Sequence, residues 1–269
     1  MPMQRALLRV LVWAFVGLTA ALLLSPLAVL VLFSFNSSGT ISLPFQGFSL
    51  EWFRQLFANP DSVAAVKNSL VVAGLVTPLC VVLGLTTAYG TARLTGRLRG
   101  LSLAIFSIPL VVPWLVIGVA ALLFFNSLNV QGSTTTIVIM QVVVTFPLVT
   151  LILYARLVGM DVSVEEAGLD LGSGAVGVLV RIVLPQLRTP LIVSAFFAFI
   201  SSIGNFVVTF FVSGYSSTLP IWGYSELRHA ENLPVVNAAS TLMLGVNVLL
   251  FIALVIVARR DPEGVAAWF

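Results

Sequence analysis

Charge is distributed along this chain in clusters, and the gaps between the clusters limit what it can fold into. No Asp, Glu, Lys or Arg occurs between Arg9 and Glu51, Lys67 and Arg93, Arg99 and Arg156, Arg188 and Glu226, or Glu231 and Arg259. A helix needs about 20 apolar residues to cross a bilayer, so each gap holds at least one crossing. The gap from Arg99 to Arg156 holds two, because its middle, Asn126-Ser127-Leu128-Asn129-Val130-Gln131-Gly132-Ser133, is polar and turn-forming. The pattern predicts an all-α membrane protein with six transmembrane helices, at about 10–33, 66–90, 101–125, 134–157, 191–213 and 235–258. Composition agrees: 59% of the 269 residues are hydrophobic and 9% are charged, against about 25% charged in soluble domains. A water-soluble globule and a disordered chain are excluded. So is a disulfide scaffold, since Cys80 is the one cysteine.

Orientation follows from the basic residues, which favour the cytoplasmic side. With six spans both termini share a side, and that side receives Arg5, Arg9, Arg93, Arg97, Arg99, Arg156, Arg181, Arg188, Arg259 and Arg260. The other side receives Arg54, Lys67 and Arg228. Both termini are expected in the cytoplasm, and the positive balance is a topology signal rather than a nucleic-acid footprint. The run from Val10 to Phe33 exceeds the 7–15 residues of a signal-peptide core, so it is read as a retained helix. External connections at 34–65 and 214–234 carry Trp52, Phe53, Phe57, Trp222 and Tyr224, expected at the membrane interface. Asn59-Pro60-Asp61 reads as a helix start, with Asn as cap, Pro in the first position and Asp at the positive end.

Catalytic apparatus is missing. The one histidine, His229, stands near Glu226 and Glu231 in an external loop, where a solvated side chain is the ordinary reading, and no Cys/His cluster has zinc spacing. No GxxxxGK[ST] phosphate loop occurs. Gly172-Ser173-Gly174-Ala175-Val176-Gly177 fits GxGxxG literally, but the dinucleotide reading needs a preceding strand. What precedes it is Ser163-Val164-Glu165-Glu166, which starts like a helix with Ser163 and Glu166 at capping-box spacing.

The most specific segment is the long cytoplasmic loop at about 158–190. It reads Glu166-Ala167-Gly168-Leu169-Asp170-Leu171-Gly172-Ser173 and then Ile182-Val183-Leu184-Pro185. A short helix, a glycine break and a second helix ending at Pro185 would make a compact knob. Leu169, Leu171 and the Ala167/Gly168 pair would offer it small and apolar contact surface, with Glu166 and Asp170 one turn apart on one face. Such a knob can seat in a soluble partner and pass on a rigid-body push. The segment resembles the "EAA" loop of the membrane subunits of binding-protein-dependent ABC importers, on Glu166, Ala167, Gly172, Ile182, Leu184 and Pro185, with Gly168 where that family usually has alanine. Phe33-Ser34-Phe35-Asn36, Phe48-Ser49-Leu50-Glu51-Trp52-Phe53, Asn68-Ser69-Leu70, Phe210-Phe211-Val212-Ser213-Gly214 and Pro234-Val235-Val236-Asn237-Ala238 look like the spermidine/putrescine-type permease group.

The resemblance implies a type I ABC importer transmembrane-domain fold, residues 1–269 forming a single such domain, in a bacterial cytoplasmic (inner) membrane. It implies a permease that is not itself an enzyme and moves a small solute delivered by an extracytoplasmic solute-binding protein. The drive is ATP hydrolysis in two partner ATPase subunits, so no cofactor is expected on this chain. The other partner is a second permease subunit, completing a heterodimer in the lipid bilayer. The residues implied in ATPase coupling are Glu166, Ala167, Gly168, Asp170, Leu171 and Gly172. Polyamine permeases of the group typically carry an acid in span 5, yet here the stretch is Ser201-Ser202-Ile203-Gly204-Asn205-Phe206-Val207-Val208, and none of the six predicted spans holds an acid. Polar span residues that could line a pathway are Gln141, Ser201, Ser202, Asn205 and Thr209, with Thr145, Asn237 and Asn247. Each is weighed against the commoner reading of a helix-helix hydrogen bond. The competing function is an autonomous channel or secondary transporter, which leaves the cytoplasmic loop without a task.

Overall fold

The computed structural model describes residues 2–39, 45–229 and 232–259, and every described element is helical. Glu231 and Arg260 lie outside the described residues, as do the side chains of Arg5, His229 and Arg259. Four helices are long and apolar enough to cross a membrane, at Arg9–Ser34, Pro60–Arg93, Thr134–Val158 and Leu233–Val257. Two bent pairs, Gly96–Val111 with Trp114–Ser127 and Ala175–Gln186 with Arg188–Ile203, raise the total to as many as six.

The chain divides into two compact units, Met1–Val63 with Gly223–Gly245 and Ala64–Trp222 with Val246–Phe269. The first unit begins with α1 (Pro2–Ser34). None of the most apolar stretch of α1 is buried by the rest of the chain, which suits a helix hydrophobic all round and covered by lipid or a neighbour. The described part of the connection after it is folded around Asn36. This side chain is fully buried, its Oδ1 accepts from the Gln46 amide at 3.0 Å, and its backbone oxygen accepts from Trp52 Nε1 at 2.6 Å. Phe35 stacks on Phe48 at 4.9 Å and meets Phe53 at 5.0 Å. α2 (Glu51–Ala58) follows, and Asn59 then caps α3 (Pro60–Arg93) as expected, its Oδ1 accepting from the Asp61 amide at 2.9 Å.

In the second unit α3, α4 (Gly96–Val111), α5 (Trp114–Ser127) and α6 (Thr134–Val158) are followed by the loop helices α7 (Ser163–Asp170), α8 (Ala175–Val178) and α9 (Leu184–Gln186). Then come α10 (Arg188–Ile203), α11 (Val207–Val212), α12 (Leu219–His229) and α13 (Leu233–Arg259). Its core draws on α3, α5, α6, the loop helices and α10–α11, among them Val76, Cys80, Ile137, Leu153, Val183 and Ala198. The predicted turn at 126–133 is present, with Asn129 at φ 54. A capping box that the sequence reading did not single out, Ser133 with Thr136, starts α6.

Two predicted spans are not single helices. The third bends by 94° between α4 and α5. Val112 precedes Pro113 and takes extended angles, φ −75 and ψ 129, because a proline disfavours helical geometry in the residue before it. The fifth is interrupted at Gly204–Phe206, between α10 and α11. Trp222 also departs from expectation: it is buried at 5% exposure, not presented as an interfacial ring.

Candidate functional site

The loop between α6 and α10 is ordered from its first residues. Asp161 Oδ1 accepts from the Ser163 amide at 2.9 Å, a bond that holds the exposed Asp161 carboxyl below its usual range. The Ser163/Glu166 capping box does not form: the cap position is Val162, with no side-chain cap bond. The far end of α7 closes by backbone alone. Gly172 N donates to Leu169 O at 2.9 Å and Ser173 N to Gly168 O at 3.1 Å, with Gly172 at φ +85. This is the Schellman pattern, which calls for a left-handed residue just past the helix and so favours glycine there. The second helical stretch passes through a π-helical turn, Leu179–Val183, whose i→i+5 bond runs from Leu184 N to Leu179 O. Pro185 sits at the start of α9 rather than ending the stretch, which runs on to Gln186.

This geometry separates the six proposed coupling residues. Glu166, Ala167, Asp170, Leu171 and Gly172 are exposed, Leu171 at 89%. Gly168 is turned inward instead, so it is no part of an outward contact surface. A Cβ built on it would lie 2.6 Å from Ile182 Cδ1 and 3.3 Å from Val178 Cγ2. Glycine at this position therefore lets α7 lie against the following stretch, where the sequence alone suggested only a looser helix.

Glu165, which sequence reasoning passed over, is the buried acid of the loop at 5% exposure. Its Oε2 accepts from Tyr89 Oη at 2.9 Å, and its Oε1 pairs with the Arg93 guanidinium, which lies 5.1 Å from the Tyr89 ring centre. The available signal was the spacing of Tyr89 and Arg93, one helical turn apart at the charged end of a span.

The candidate pathway residues also fall into place. Ser202 Oγ donates to Gln141 Oε1 at 2.5 Å, Gln141 Nε2 to Thr209 Oγ1 at 2.9 Å, and Thr209 Oγ1 to Asn205 Oδ1 at 3.3 Å. All four residues are buried, and Ser201 is half-buried. The cluster bridges α6 to both sides of the interruption in span 5. Asn205 Nδ2 is buried without a partner, a free donor at the break. Thr145 is buried, while Asn237 and Asn247 are half-buried, and none of the three joins the cluster through a described bond. Among the described residues no group of His, Cys, Asp and Glu could hold a metal. No described strand precedes Gly172, so the GxGxxG match has none of its required context.

Comparison with known proteins places this geometry. The family described as "Binding-protein-dependent transport system inner membrane component" matches residues 80–260. The chain is 33% identical over 251 residues to the putrescine transport system permease protein PotI of Escherichia coli (strain K12), covering 90% of this chain and 88% of that protein. It is 28% identical over 257 residues to the spermidine/putrescine transport system permease protein PotC of the same strain, covering 95% and 97%. A chain of a bacterial ABC transporter involved in the import of the acidic polysaccharide alginate superposes with a TM-score of 0.73 at 12% identity, covering 92% of this chain and 95% of that one. This last likeness shows a shared fold.

Proposed function

The chain belongs to the family of binding-protein-dependent transport system inner membrane components, and from that premise we propose that it is the membrane-spanning permease subunit that translocates a small solute, driven by partner ATPases. The fold is the type I importer permease fold expected from the sequence, and the family is one of transport permeases, not enzymes. Two ATPase subunits dock beneath it, a second permease pairs with it, and an extracytoplasmic binding protein delivers the solute. Both termini face the cytoplasm of a bacterial inner membrane.

The observation that carries the reading is the exposed row Glu166, Ala167, Asp170, Leu171 and Gly172 on a helix whose opposite face is anchored. An acidic and apolar knob with a fixed base can seat in a partner and transmit its movement. Glu166→Lys reverses charge on the exposed face without touching an intrachain bond. It is expected to leave the protein in the membrane while reducing the ATPase that co-purifies with it. Gly172→Asp is expected to do the same. Gly172→Ala, which adds the smallest side chain to a left-handed position that alanine resists, separates backbone strain from obstruction. Normal ATPase retention in both Glu166→Lys and Gly172→Asp would remove the loop from the mechanism.

For the cargo, the decisive feature is the absence of acid. Apart from Asp61 in the first turn of α3, no Asp or Glu lies in α1, α3–α6, α10, α11 or α13. A cation inside a membrane path is costly unless paired, and Asn205 supplies only a neutral amide. The cargo of this pathway is neutral, zwitterionic or anionic, unless the second permease supplies the carboxylate. Uptake by vesicles holding the complete complex, offered putrescine, spermidine and uncharged and acidic solutes, tests this. Efficient polyamine uptake with a second permease that also lacks span acids would overturn it.

A further inference from the structure

We propose that Glu165 is a positioning residue that ties α7 to α3, so that movement of the coupling knob is carried along α3 to the 213–219 turn at its other end. The proposal rests on the coupling role given to α7 above. The two neighbouring acids then have different tasks. Glu166 is exposed, whereas Glu165 is buried, bonded to Tyr89 and paired with Arg93. Tyr89 and Arg93 lie one turn apart, on one face of the last turns of α3. Arg99 fixes that end further, its Nε donating to Leu94 O at 2.8 Å and its Nη2 to Ala92 O at 3.2 Å.

At the opposite end of α3 the ties go to the 213–219 turn. Asn68 Nδ2 donates to Ser217 O at 2.8 Å, and Ser69 Oγ accepts from the Leu219 amide at 2.8 Å. Arg93 lies about 37 Å along the helix from Asn68 at 1.5 Å per residue. Between the two ends runs a stripe at every fourth position, Val72, Val76, Cys80, Gly84, Ala88 and Ala92. At Gly84 the approach of α6 is so close that a Cβ would stand 2.6 Å from Val149 Cγ1. α3 runs unbroken from Pro60 to Arg93 even with Pro78 inside it, and polar bonds hold both of its ends. A displacement imposed at Arg93 therefore reaches the bonds at Asn68 and Ser69.

The test uses the complete complex with its ATPases in vesicles, with Ser217→Cys as a reporter for an impermeant thiol reagent. Ser217 is half-buried and Cys80 is fully buried, so labelling reports movement of the turn. With Glu165 intact, trapping the ATPases with ATP and vanadate is expected to change the labelling rate. Glu165→Gln keeps an acceptor for Tyr89 and removes the charge. It is expected to retain the bound ATPases and their ATP turnover, but to shrink the nucleotide-dependent labelling change by about tenfold, within the range that ordinary coupling free energies give. The exchange Glu165→Arg with Arg93→Glu is expected to restore the change, and Tyr89→Phe to reduce it by less than Glu165→Gln. An undiminished change in Glu165→Gln overturns the proposal. Loss of the ATPases from Glu165→Gln also overturns it, since Glu165 would then be needed only for docking. If the protein with native Glu165 binds no ATPase at all, it is the coupling role of α7 that fails.

Discussion

At Gly172 the backbone stands at φ +85 with open space around the missing Cβ, so conformation and not crowding selects glycine there. An L-residue in left-handed geometry costs about 1–2 kcal/mol, and Asn is the best tolerated alternative. Thermal unfolding of the detergent-solubilised protein is expected to rank position 172 as Gly, then Asn, then Ala, then Val. Gly168 has the opposite reason: its φ is ordinary, and its neighbour Ile182 fills the space. Gly168→Val is expected to push the following stretch away from α7 and lower the melting temperature. Gly168→Ala combined with Ile182→Val removes the clashing Cδ1, and is expected to stay within about 1 kcal/mol of the parent, since alanine also gains helix propensity. The sequence marks Gly172 as the helix break but gives no sign that Gly168 turns inward. Their difference is a contact made between residues fourteen positions apart, which no local pattern encodes.

Between elements, the interruption of span 5 is held by side chains from α6. Gln141 uses both ends of its amide, accepting from Ser202 before the break and donating to Thr209 after it. Gln141→Leu would leave those hydroxyls facing an apolar side chain. A loss of about 1 kcal/mol is expected, in the range measured for hydrogen bonds between membrane helices, read as an earlier midpoint in a denaturing-detergent titration. A far larger effect is expected where the turn before α6 meets the turn after α11. A Cβ on Gly132 would stand 2.4 Å from Gly214 N and 2.9 Å from Val212 O. Backbone atoms cannot swing aside as a side chain can, so Gly132→Ala is expected to separate the two turns. The Thr136 bond to Val212 O at 2.7 Å would be lost with them. A failure of Gly132→Ala to lower stability in the same titration would show that the turns can part without cost. The polar candidates were legible from the sequence as polar residues within apolar runs. Their union into one cluster was not, because it depends on how α6, α10 and α11 lie against each other.

For the whole molecule, the expected orientation can be tested at the exposed turns. A single cysteine at Tyr215, which is fully exposed, should react with an impermeant thiol reagent outside intact cells. One at Leu171, 89% exposed, should react only after the inner face is opened. The native Cys80 can remain, since it is completely buried. Labelling of the Leu171 position from outside would overturn the six-span arrangement together with the coupling role of α7.

Hydrophobic length and charge position acted locally, so the sequence by itself determined the membrane class and the uninterrupted spans. Its reading at 134–157 meets α6 at Thr134–Val158, and its reading at 235–258 meets α13 at Leu233–Arg259. The cap at Asn59, the turn around Asn129 and the glycine exit at Gly172 are likewise written in a few adjacent residues. What only the tertiary structure decided is which side chains face one another. The inward turn of Gly168, the burial of Glu165 against Tyr89 and Arg93, and the cluster around Gln141 all join residues distant in the chain. Burying a carboxylate or an amide is tolerable only when a partner is already in place, and those partners come from other helices, so the fold had to bring them there.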